Sequence, residues 1–180
     1  VIVRGYITGV TRTSLWKLYS DGNRAIYGIK FPEGLIKNQK LKKSVITPTT
    51  RETGAGGHDE PITKQEILKQ KIISPAIWKQ IEKVAIKLFL RGSEIADKAG
   101  FILADTKYEF GLDKRGKLML IDEIHTPDSS RFWLKKTYKE RFEKGEEVES
   151  YDKEFMRIWF KQQGYDGNGK APKMSDELVA

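Results

Sequence analysis

The chain has 180 residues, of which 38% are hydrophobic and 32% are charged, a balance typical of a soluble globular protein with its own core. Cysteine is absent, which excludes disulfides and thiolate metal sites, and no apolar stretch resembles a membrane helix or a secretory signal. A reducing cytosol fits these features, so we expect a cytoplasmic protein. The net charge of +8 favours an anionic partner: nucleic acid, a membrane surface or a small phosphorylated ligand.

The first thirty residues predict a strand, a short helix and a second strand. Residues 1–8 are mostly apolar and β-branched, which favours a strand. Thr13 or Ser14 can cap a short helix over residues 15–19, and residues 25–30 read as another short strand. Because the chain opens inside a strand pattern, we expect a further segment upstream of the first residue.

Residues 31–62 predict a long irregular region, because Pro, Gly, Thr and Lys dominate it. We interpret the basic run at residues 37–43 as a solvated loop. Nucleic-acid binding by this run is an alternative, but the aromatic residues that bind single strands are not interleaved with it. His58 and Asp59 lie near the end of the region, where they either polarise a substrate group or make a local structural hydrogen bond.

The strongest helix signal follows this region. Ser74 and Pro75 form a good N-cap and first-turn pair, apolar residues then recur at helical spacing, and Gly100 ends the helix. Strands starting at residues 101–104 and 118–121 flank a turn signal at residues 113–116, which predicts a β-hairpin.

The C-terminal part predicts less regular structure. Residues 141–149 read as a charged connector and residues 153–163 as an amphipathic helix. We therefore expect one α+β domain over residues 1–163 and a polar surface tail over residues 164–180.

The predicted hairpin carries an alternating set of charged residues. Asp105, Lys107 and Glu109 project from one face of a continuous strand, and a turn centred on residues 114–115 places Asp122 opposite Lys107 and diagonal to Glu109. Two converging carboxylates suit Mg²⁺, which completes its coordination with water and phosphate oxygens. A surface ladder of salt bridges explains the same spacing equally well.

Residues 126–133 add candidate phosphate ligands. They combine a turn former with hydroxyl groups and the guanidinium of Arg131, which suits a phosphate held by charge-assisted bonds. The alternative is a helix that begins here with Asp128 or Ser129 as its N-cap. Arg4, near the end of the first strand, is a second candidate for binding an anion.

Two segments resemble signatures of a known family. Residues 103–111, Leu-Ala-Asp-Thr-Lys-Tyr-Glu-Phe-Gly, are similar to the central signature of the SAICAR synthetase family, and residues 3–9, Val-Arg-Gly-Tyr-Ile-Thr-Gly, resemble its other signature. The resemblance extends over essentially the whole chain. Further similar segments are residues 32–35, 47–50, 58–59, 122–123, 126–133 and 151–153.

This resemblance implies an α+β fold with a mostly antiparallel sheet and packed helices. It also implies an ATP- and Mg²⁺-dependent ligase of purine biosynthesis. Such an enzyme joins L-aspartate to the carboxylate of carboxyaminoimidazole ribonucleotide through an acyl phosphate. The expected partners are therefore ATP, this ribonucleotide and L-aspartate, with no membrane and no nucleic acid, and self-association is left open.

The resemblance also implies roles for individual residues. Glu109 and Asp122 match the magnesium ligands, and Lys107, supported by Asp105, matches the catalytic lysine that contacts a phosphate or the reacting carboxylate. The residues that match substrate-binding groups are Arg4, Ser14, His58, Asp59, Asp128, Ser130 and Arg131.

Two features depart from the family pattern. Val10 stands where the family often has serine, so the hydroxyl of Thr11, Thr13 or Ser14 is expected to replace it. The family's N-terminal nucleotide-binding lobe has no counterpart in these 180 residues. A non-catalytic fragment or subunit that needs this lobe in trans is therefore an alternative to a complete ligase.

Overall fold

The computed structural model describes residues 1–50, 60–165 and 169–175, and its architecture is α+β, as predicted. In chain order the elements are β1 (Ile2–Ile7), α1 (Leu15–Ser20), β2 (Ala25–Ile26), β3 (Ile29–Lys30), β4 (Gln39–Thr47), α2 (Lys64–Lys69), α3 (Pro75–Lys98), β5 (Phe101–Lys107), β6 (Glu109–Leu112), β7 (Leu118–Ile121), β8 (Ser130–Leu134), α4 (Lys135–Lys144) and α5 (Glu154–Gln162). A four-stranded antiparallel sheet has the strand order β4-β1-β5-β8, and two short hairpins, β2–β3 and β6–β7, accompany it.

Strand β1 is a central strand of the sheet, which confirms the strand predicted for residues 1–8. Apart from the half-buried Ile2, its side chains are buried, and Val3 and Ile7 are fully enclosed. It pairs with β4 on one side and with β5 on the other, where Arg4 lies directly opposite Asp105. The register between β1 and β5 therefore brings two buried charges together.

Strand β4 corrects the prediction of an irregular region over residues 31–62. It lies at the edge of the sheet, and Lys40, Lys42 and Lys43 on it are exposed. Lysines are common on edge strands because their charge discourages pairing with other chains. The lysines hid the strand pattern, so the prediction of a solvated loop at residues 37–43 is wrong.

The short helix predicted near the N-terminus is present, and the short strand predicted after it is replaced by a hairpin. Ser14 is the N-cap residue of α1, as expected, but its side chain makes no capping hydrogen bond. The strand predicted at residues 25–30 is a tight hairpin whose turn residues, Tyr27 and Gly28, have φ values of 55° and 76°. Two positive φ values are typical of the turn that best joins two antiparallel strands.

Helix α3 confirms the strongest helix prediction and covers one face of the sheet. The Oγ of Ser74 accepts a hydrogen bond from the Ile77 amide at 3.3 Å. The buried face of the helix includes Ala85 and Phe89, which pack with Val3 of β1 and Leu103 of β5. Full burial of such side chains contributes about 1.5–3 kcal/mol each, so this contact holds the helix to the sheet.

The predicted hairpin has a different course. Strand β5 ends at Lys107 and pairs with β1 and β8, whereas the hairpin is formed by β6 and β7, with Glu109 opposite Ile121. Tyr108, between β5 and β6, is fully buried in the core. Because β5 and β6 belong to different sheets and Glu109 pairs with Ile121, the prediction of one continuous ladder with Asp122 opposite Lys107 is wrong.

The segment that follows the hairpin, residues 126–133, does not form the helix that was one of its two interpretations. Residues 130–134 form strand β8 against β5, so the alternative of a helix capped by Asp128 or Ser129 is wrong. Helix α4 occupies part of the predicted connector at residues 141–149 and ends at Gly145, which has a φ of 71°. The predicted amphipathic helix is present as α5. Among the described residues, no helix has the length and apolar character to cross a membrane.

Candidate active site

A cavity of about 230 Å³ lies beside the paired strands β1, β5 and β8. The loop before α1, the loop between β7 and β8, and the start of α5 complete its wall. Eight of the residues singled out from the sequence line it: Arg4, Ser14, Asp105, Lys107, Asp122, Asp128, Ser130 and Arg131. Residues that are far apart in the chain therefore meet at one site.

Asp105 lies between two arginines at the base of the cavity. The Nη1 of Arg131 donates to both of its carboxylate oxygens, at 3.0 Å and 2.7 Å, and the Nη1 of Arg4 donates to one of them at 3.2 Å. Arg4 and Asp105 are only 2% and 3% exposed, so this cluster is shielded from solvent. Removal of one partner from such a buried set leaves an uncompensated charge, which is strongly unfavourable.

The two arginines are held by different second partners. The Nε of Arg4 donates to the Oγ1 of Thr47 at 2.8 Å, and the Nη2 of Arg131 donates to Glu154 at 3.2 Å. Burial lowers the pKa of Arg4 against the opposing effect of Asp105. Burial also acts to lower the pKa of Arg131, but Asp105 and Glu154 outweigh it and raise that pKa. Arg131 therefore stays a cation with a fixed orientation.

Glu154 links the cavity to helix α5. Its Oε2 accepts from Arg131 and from the Nη1 of Arg157, the latter at 3.1 Å. Burial alone raises the pKa of Glu154, but Arg131 and Arg157 outweigh this effect and hold the pKa below its ordinary value. The first turn of α5 is thus fixed against strand β8 by an ionised carboxylate.

The turn before α1 brings hydroxyl groups to the cavity. The Oγ of Ser14 lies 2.6 Å from the Oγ1 of Thr11 and accepts from the Thr11 amide at 3.2 Å. Gly9 has a φ of 94°, and a Cβ at this position would lie 2.5 Å from the Ser14 Oγ and 2.9 Å from the Arg131 Nη2. Only glycine permits this approach, so Gly9 sets the distance between the hydroxyl pair and the arginine.

Ser130 places a second hydroxyl group on the opposite wall. It is 5% exposed and donates to the Oγ1 of Thr106 on β5 at 2.8 Å. The Lys107 amide donates to the carbonyl oxygen of Ser129 at 2.8 Å, so the loop before β8 is bonded to β5. The wall near Ser130 is thereby fixed to the strand that carries Asp105.

Lys107 and the acidic residues occupy a more exposed part of the site. The Nζ of Lys107 lies 2.5 Å from the Oε1 of Glu109, which is not part of the cavity wall. Asp122 and Glu123 do line the cavity. Within the described ranges, no group of three or more His, Asp or Glu side chains is arranged to hold a metal ion. A donor set of two carboxylates suits Mg²⁺ only if phosphate and water oxygens complete the coordination.

Asp128 closes the site on the side of α5. Its Oδ1 accepts from the Nζ of Lys153 at 2.6 Å, and this bond holds the pKa of Asp128 below its ordinary value. The neighbouring Asp152 accepts from the amides of Phe132 and Glu154, and burial raises its pKa. These bonds join the middle of β8, the loop before it and the start of α5.

Sequence reasoning missed the contribution of α5 to the site. Asp152, Lys153 and Arg157 line the cavity, and Glu154 supports Arg131 from behind. The only signal was the resemblance at residues 151–153, together with the three-residue spacing of Glu154 and Arg157 on one helix face.

Two other features predicted from the sequence are the His58–Asp59 pair and the basic run at residues 37–43. His58 and Asp59 fall outside the described residues. The basic run at residues 37–43 does not line the cavity, and Lys37 pairs with Glu147.

Comparison with known proteins identifies similar sequences and folds. A family model described as SAICAR synthetase matches residues 1–173. A phosphoribosylaminoimidazole-succinocarboxamide synthase from Legionella pneumophila (strain Paris) is 54% identical over 159 residues, which cover 88% of this chain and 50% of the relative. The chain thus spans about half the length of the curated relatives it matches.

Solved structures give the same picture. A SAICAR synthase from Saccharomyces cerevisiae, complexed with SAICAR, has a TM-score of 0.74 and 34% identity, covering 99% of this chain and 54% of that chain. A type-2 SAICAR synthetase in complex with ADP has a TM-score of 0.64 and 25% identity, covering 96% of this chain and 64% of that chain.

Proposed function

We propose that this chain, which belongs to the SAICAR synthetase family, carries the ribonucleotide-binding site of an ATP-dependent ligase of purine biosynthesis. In this proposal, residues 1–163 form the domain that binds ATP and the ribonucleotide, and residues 164–180 form a polar tail. The reaction joins L-aspartate to the carboxylate of carboxyaminoimidazole ribonucleotide in the cytoplasm. The whole protein's activity is part of the proposal, because this chain matches about half of its relatives' length.

The arrangement of Arg4 and Arg131 around Asp105 is the observation that carries this proposal. The carboxylate compensates part of the positive charge of the two arginines without closing the cavity, which both of them line. Each guanidinium has N–H groups beyond those used by its acidic partners, and a planar guanidinium can donate to two oxygens of a phosphate at once. The hydroxyl oxygens of Ser14 and Ser130 add neutral hydrogen-bonding groups to the same cavity.

The acidic residues beside this phosphate site suit the binding of the magnesium–ATP complex. Glu109 and Asp122 would hold Mg²⁺ together with nucleotide phosphate oxygens, and the bound ion would neutralise charge on the transferred phosphoryl group. Lys107 lies between Glu109 and the cavity, where its ammonium can contact a phosphate or the reacting carboxylate. Asp105 acts as the positioning partner of the arginines, since both of its oxygens accept from Arg131.

The proposed chemistry has two balanced steps. An oxygen of the ribonucleotide carboxylate attacks the γ-phosphorus of ATP, which forms an acyl phosphate and releases ADP. The amine nitrogen of aspartate then attacks the acyl carbon, a C–N bond forms, and inorganic phosphate leaves with the carboxylate oxygen. The amine loses a proton to solvent as the amide forms. The protein's contribution is orientation and charge stabilisation, as in other phosphoryl transfers.

Isotope transfer tests this proposal. The ribonucleotide is labelled with ¹⁸O in its carboxylate and supplied with ATP, Mg²⁺ and aspartate to the protein that carries this sequence. We expect one ¹⁸O atom in each inorganic phosphate formed. Product formation with unlabelled phosphate would overturn the acyl-phosphate step, and no product from folded protein would overturn the proposed function.

A further inference from the structure

A half-buried histidine is one of the residues that hold the loop between β7 and β8 to the body of the protein. Residues 121–124 are all exposed, and His125 is the next residue along the chain. Downstream, Thr126 and Ser129 bond to one another, and Ser129 is tied to β5 through the Lys107 amide. His125 is therefore a contact with the body of the protein that lies three residues after Asp122 in the chain.

The histidine ring lies between helix α3 and a buried tyrosine. Its Nε2 lies 2.6 Å from the Oη of Tyr108, and the two rings meet edge to face with centroids 5.6 Å apart. On the helix side, a Cβ built on Gly92 would lie 2.3 Å from the Cε1 of His125. The ring thus fills the space that a side chain at Gly92 would need.

The backbone has an uncommon conformation at this contact and at Asp122, three residues before it. Asp122 has a φ of 66° and His125 a φ of 55°. Residues other than glycine keep such values when surrounding contacts determine them. The packing on Gly92 and the bond to Tyr108 are contacts of this kind for His125.

Tyr108 connects this contact to the other side of the site. It follows Lys107 and precedes Glu109 in the chain, and its ring is fully buried. The bond from Tyr108 to His125 therefore joins the segment that carries Lys107 and Glu109 to the loop that carries Asp122.

We infer that His125 is a positioning residue, which with Tyr108 and Gly92 sets the distance between the Glu109 segment and Asp122. The inference rests on the proposed function, in which these two carboxylates hold a magnesium–nucleotide complex. His125 acts through the loop and contacts neither the metal nor the substrate. Loss of its bond to Tyr108 separates the two carboxylates in part of the population, so the site binds magnesium nucleotide more weakly.

Two variants remove the bond and one retains it. Tyr108→Phe deletes the hydroxyl group but keeps the buried ring, and His125→Leu keeps volume without a polar atom. His125→Gln keeps a side-chain nitrogen for the Tyr108 hydroxyl. The matched control is Tyr138→Phe, because Tyr138 also loses a hydroxyl bond, to the Asn38 carbonyl oxygen at 2.9 Å, but does not line the cavity.

Two measurements are made on the protein that carries this sequence. Calorimetry with ADP at increasing Mg²⁺ gives the affinity, which we expect Tyr108→Phe and His125→Leu to weaken by about threefold to tenfold, as for loss of one buried hydrogen bond. Amide hydrogen exchange without any ligand should be faster across residues 122–129 in these two variants. His125→Gln should resemble the wild type in both measurements.

The outcomes separate this inference from the proposed function. Wild-type protein that binds no magnesium–ADP would overturn the proposed function and the inference with it. Wild-type binding matched by both variants would overturn the inference alone. A loss of affinity in Tyr138→Phe equal to that in Tyr108→Phe would also overturn it, because the effect would then follow from stability.

Discussion

The Nη1 atom of Arg131 lies 3.0 Å and 2.7 Å from the two carboxylate oxygens of Asp105. This ion pair links strand β8, which carries Arg131, to strand β5, which carries Asp105. Arg4 approaches the same carboxylate from β1. Three neighbouring strands therefore converge on one buried negative charge. This relationship makes the stability of the sheet and the geometry of the proposed phosphate site depend on the same residue.

Asp105→Asn should be severely destabilising. It leaves two buried guanidinium groups without their shared carboxylate, and breaking a buried ion pair from one side costs about 3–5 kcal/mol of the free energy of unfolding. The control is Asp97→Asn, which removes an exposed pair with Lys135 and should cost at most about 1 kcal/mol. Urea denaturation measures both, and equal losses would show that Asp105 is not a special partner of the arginines.

Gly9→Ala should impair ribonucleotide binding, and Gly22→Ala should not. Both glycines have a φ of 94°, but a Cβ at Gly22 meets no atom within 4 Å, whereas one at Gly9 displaces Ser14 and Arg131. Each variant should lose about 1–2 kcal/mol of stability from backbone strain. The KM for the ribonucleotide should rise about tenfold or more in Gly9→Ala alone, as expected for disturbed charge-assisted bonds. Matching KM values would contradict the assigned role of Gly9.

Arg131→Lys tests the phosphate site through substrate selectivity. Lysine keeps the positive charge but lacks the planar pair of donors. We expect the KM for the ribonucleotide to rise by about tenfold to a hundredfold, with little change in the KM for aspartate. Arg91→Lys, on the exposed surface of α3, is the control and should change neither value. Equal increases for both substrates in Arg131→Lys would show that Arg131 acts through structure.

Glu154→Gln should remove a stabilising contribution that depends on pH. The folded protein holds the pKa of Glu154 below its ordinary value of 4.5. Its stabilisation is therefore fully present above pH 4.5 and is lost as the pH falls through the folded-state pKa. We expect the wild type to be more stable than Glu154→Gln by about 1–3 kcal/mol at neutral pH.

The difference between these two proteins should shrink under acid conditions. Denaturant midpoints measured from pH 7 to pH 3 give this profile, and the opposite pKa shift of Asp152 cancels because both proteins contain it. A difference that stays constant over this range would contradict an ionised Glu154 at the arginine.

The elements that could be predicted from the sequence are those whose apolar residues recur on the face that is buried in the structure. Strand β1 and helix α3 were found because their apolar spacing matches the face that packs in the core. Strand β4 was missed because its lysines face solvent at the sheet edge, which removes the apolar signal. The end of β5 was missed because an alternating pattern does not reveal that Tyr108 is buried in the core.

The sequence predicted several residues that meet at one cavity, but it did not predict their geometry. Arg4 and Arg131 were singled out as candidates for binding an anion, and both line the cavity. The interpretation of Asp105 as part of a charged ladder rested on spacing alone. Its position between two arginines depends on the register of three strands, which no local pattern gives. The contact of His125 with Gly92 has one weak signal, a glycine inside a helix.

The most direct test of the central claim is product formation by the protein that carries this sequence. Aspartate, ATP, Mg²⁺ and carboxyaminoimidazole ribonucleotide are supplied, and each is omitted in turn, with the similar Legionella pneumophila protein measured in parallel. The account predicts formation of the succinocarboxamide ribonucleotide only when all four are present, with the ribonucleotide KM raised in Arg131→Lys. Turnover that is insensitive to Arg131→Lys, or folded protein without turnover while the relative is active, would contradict it.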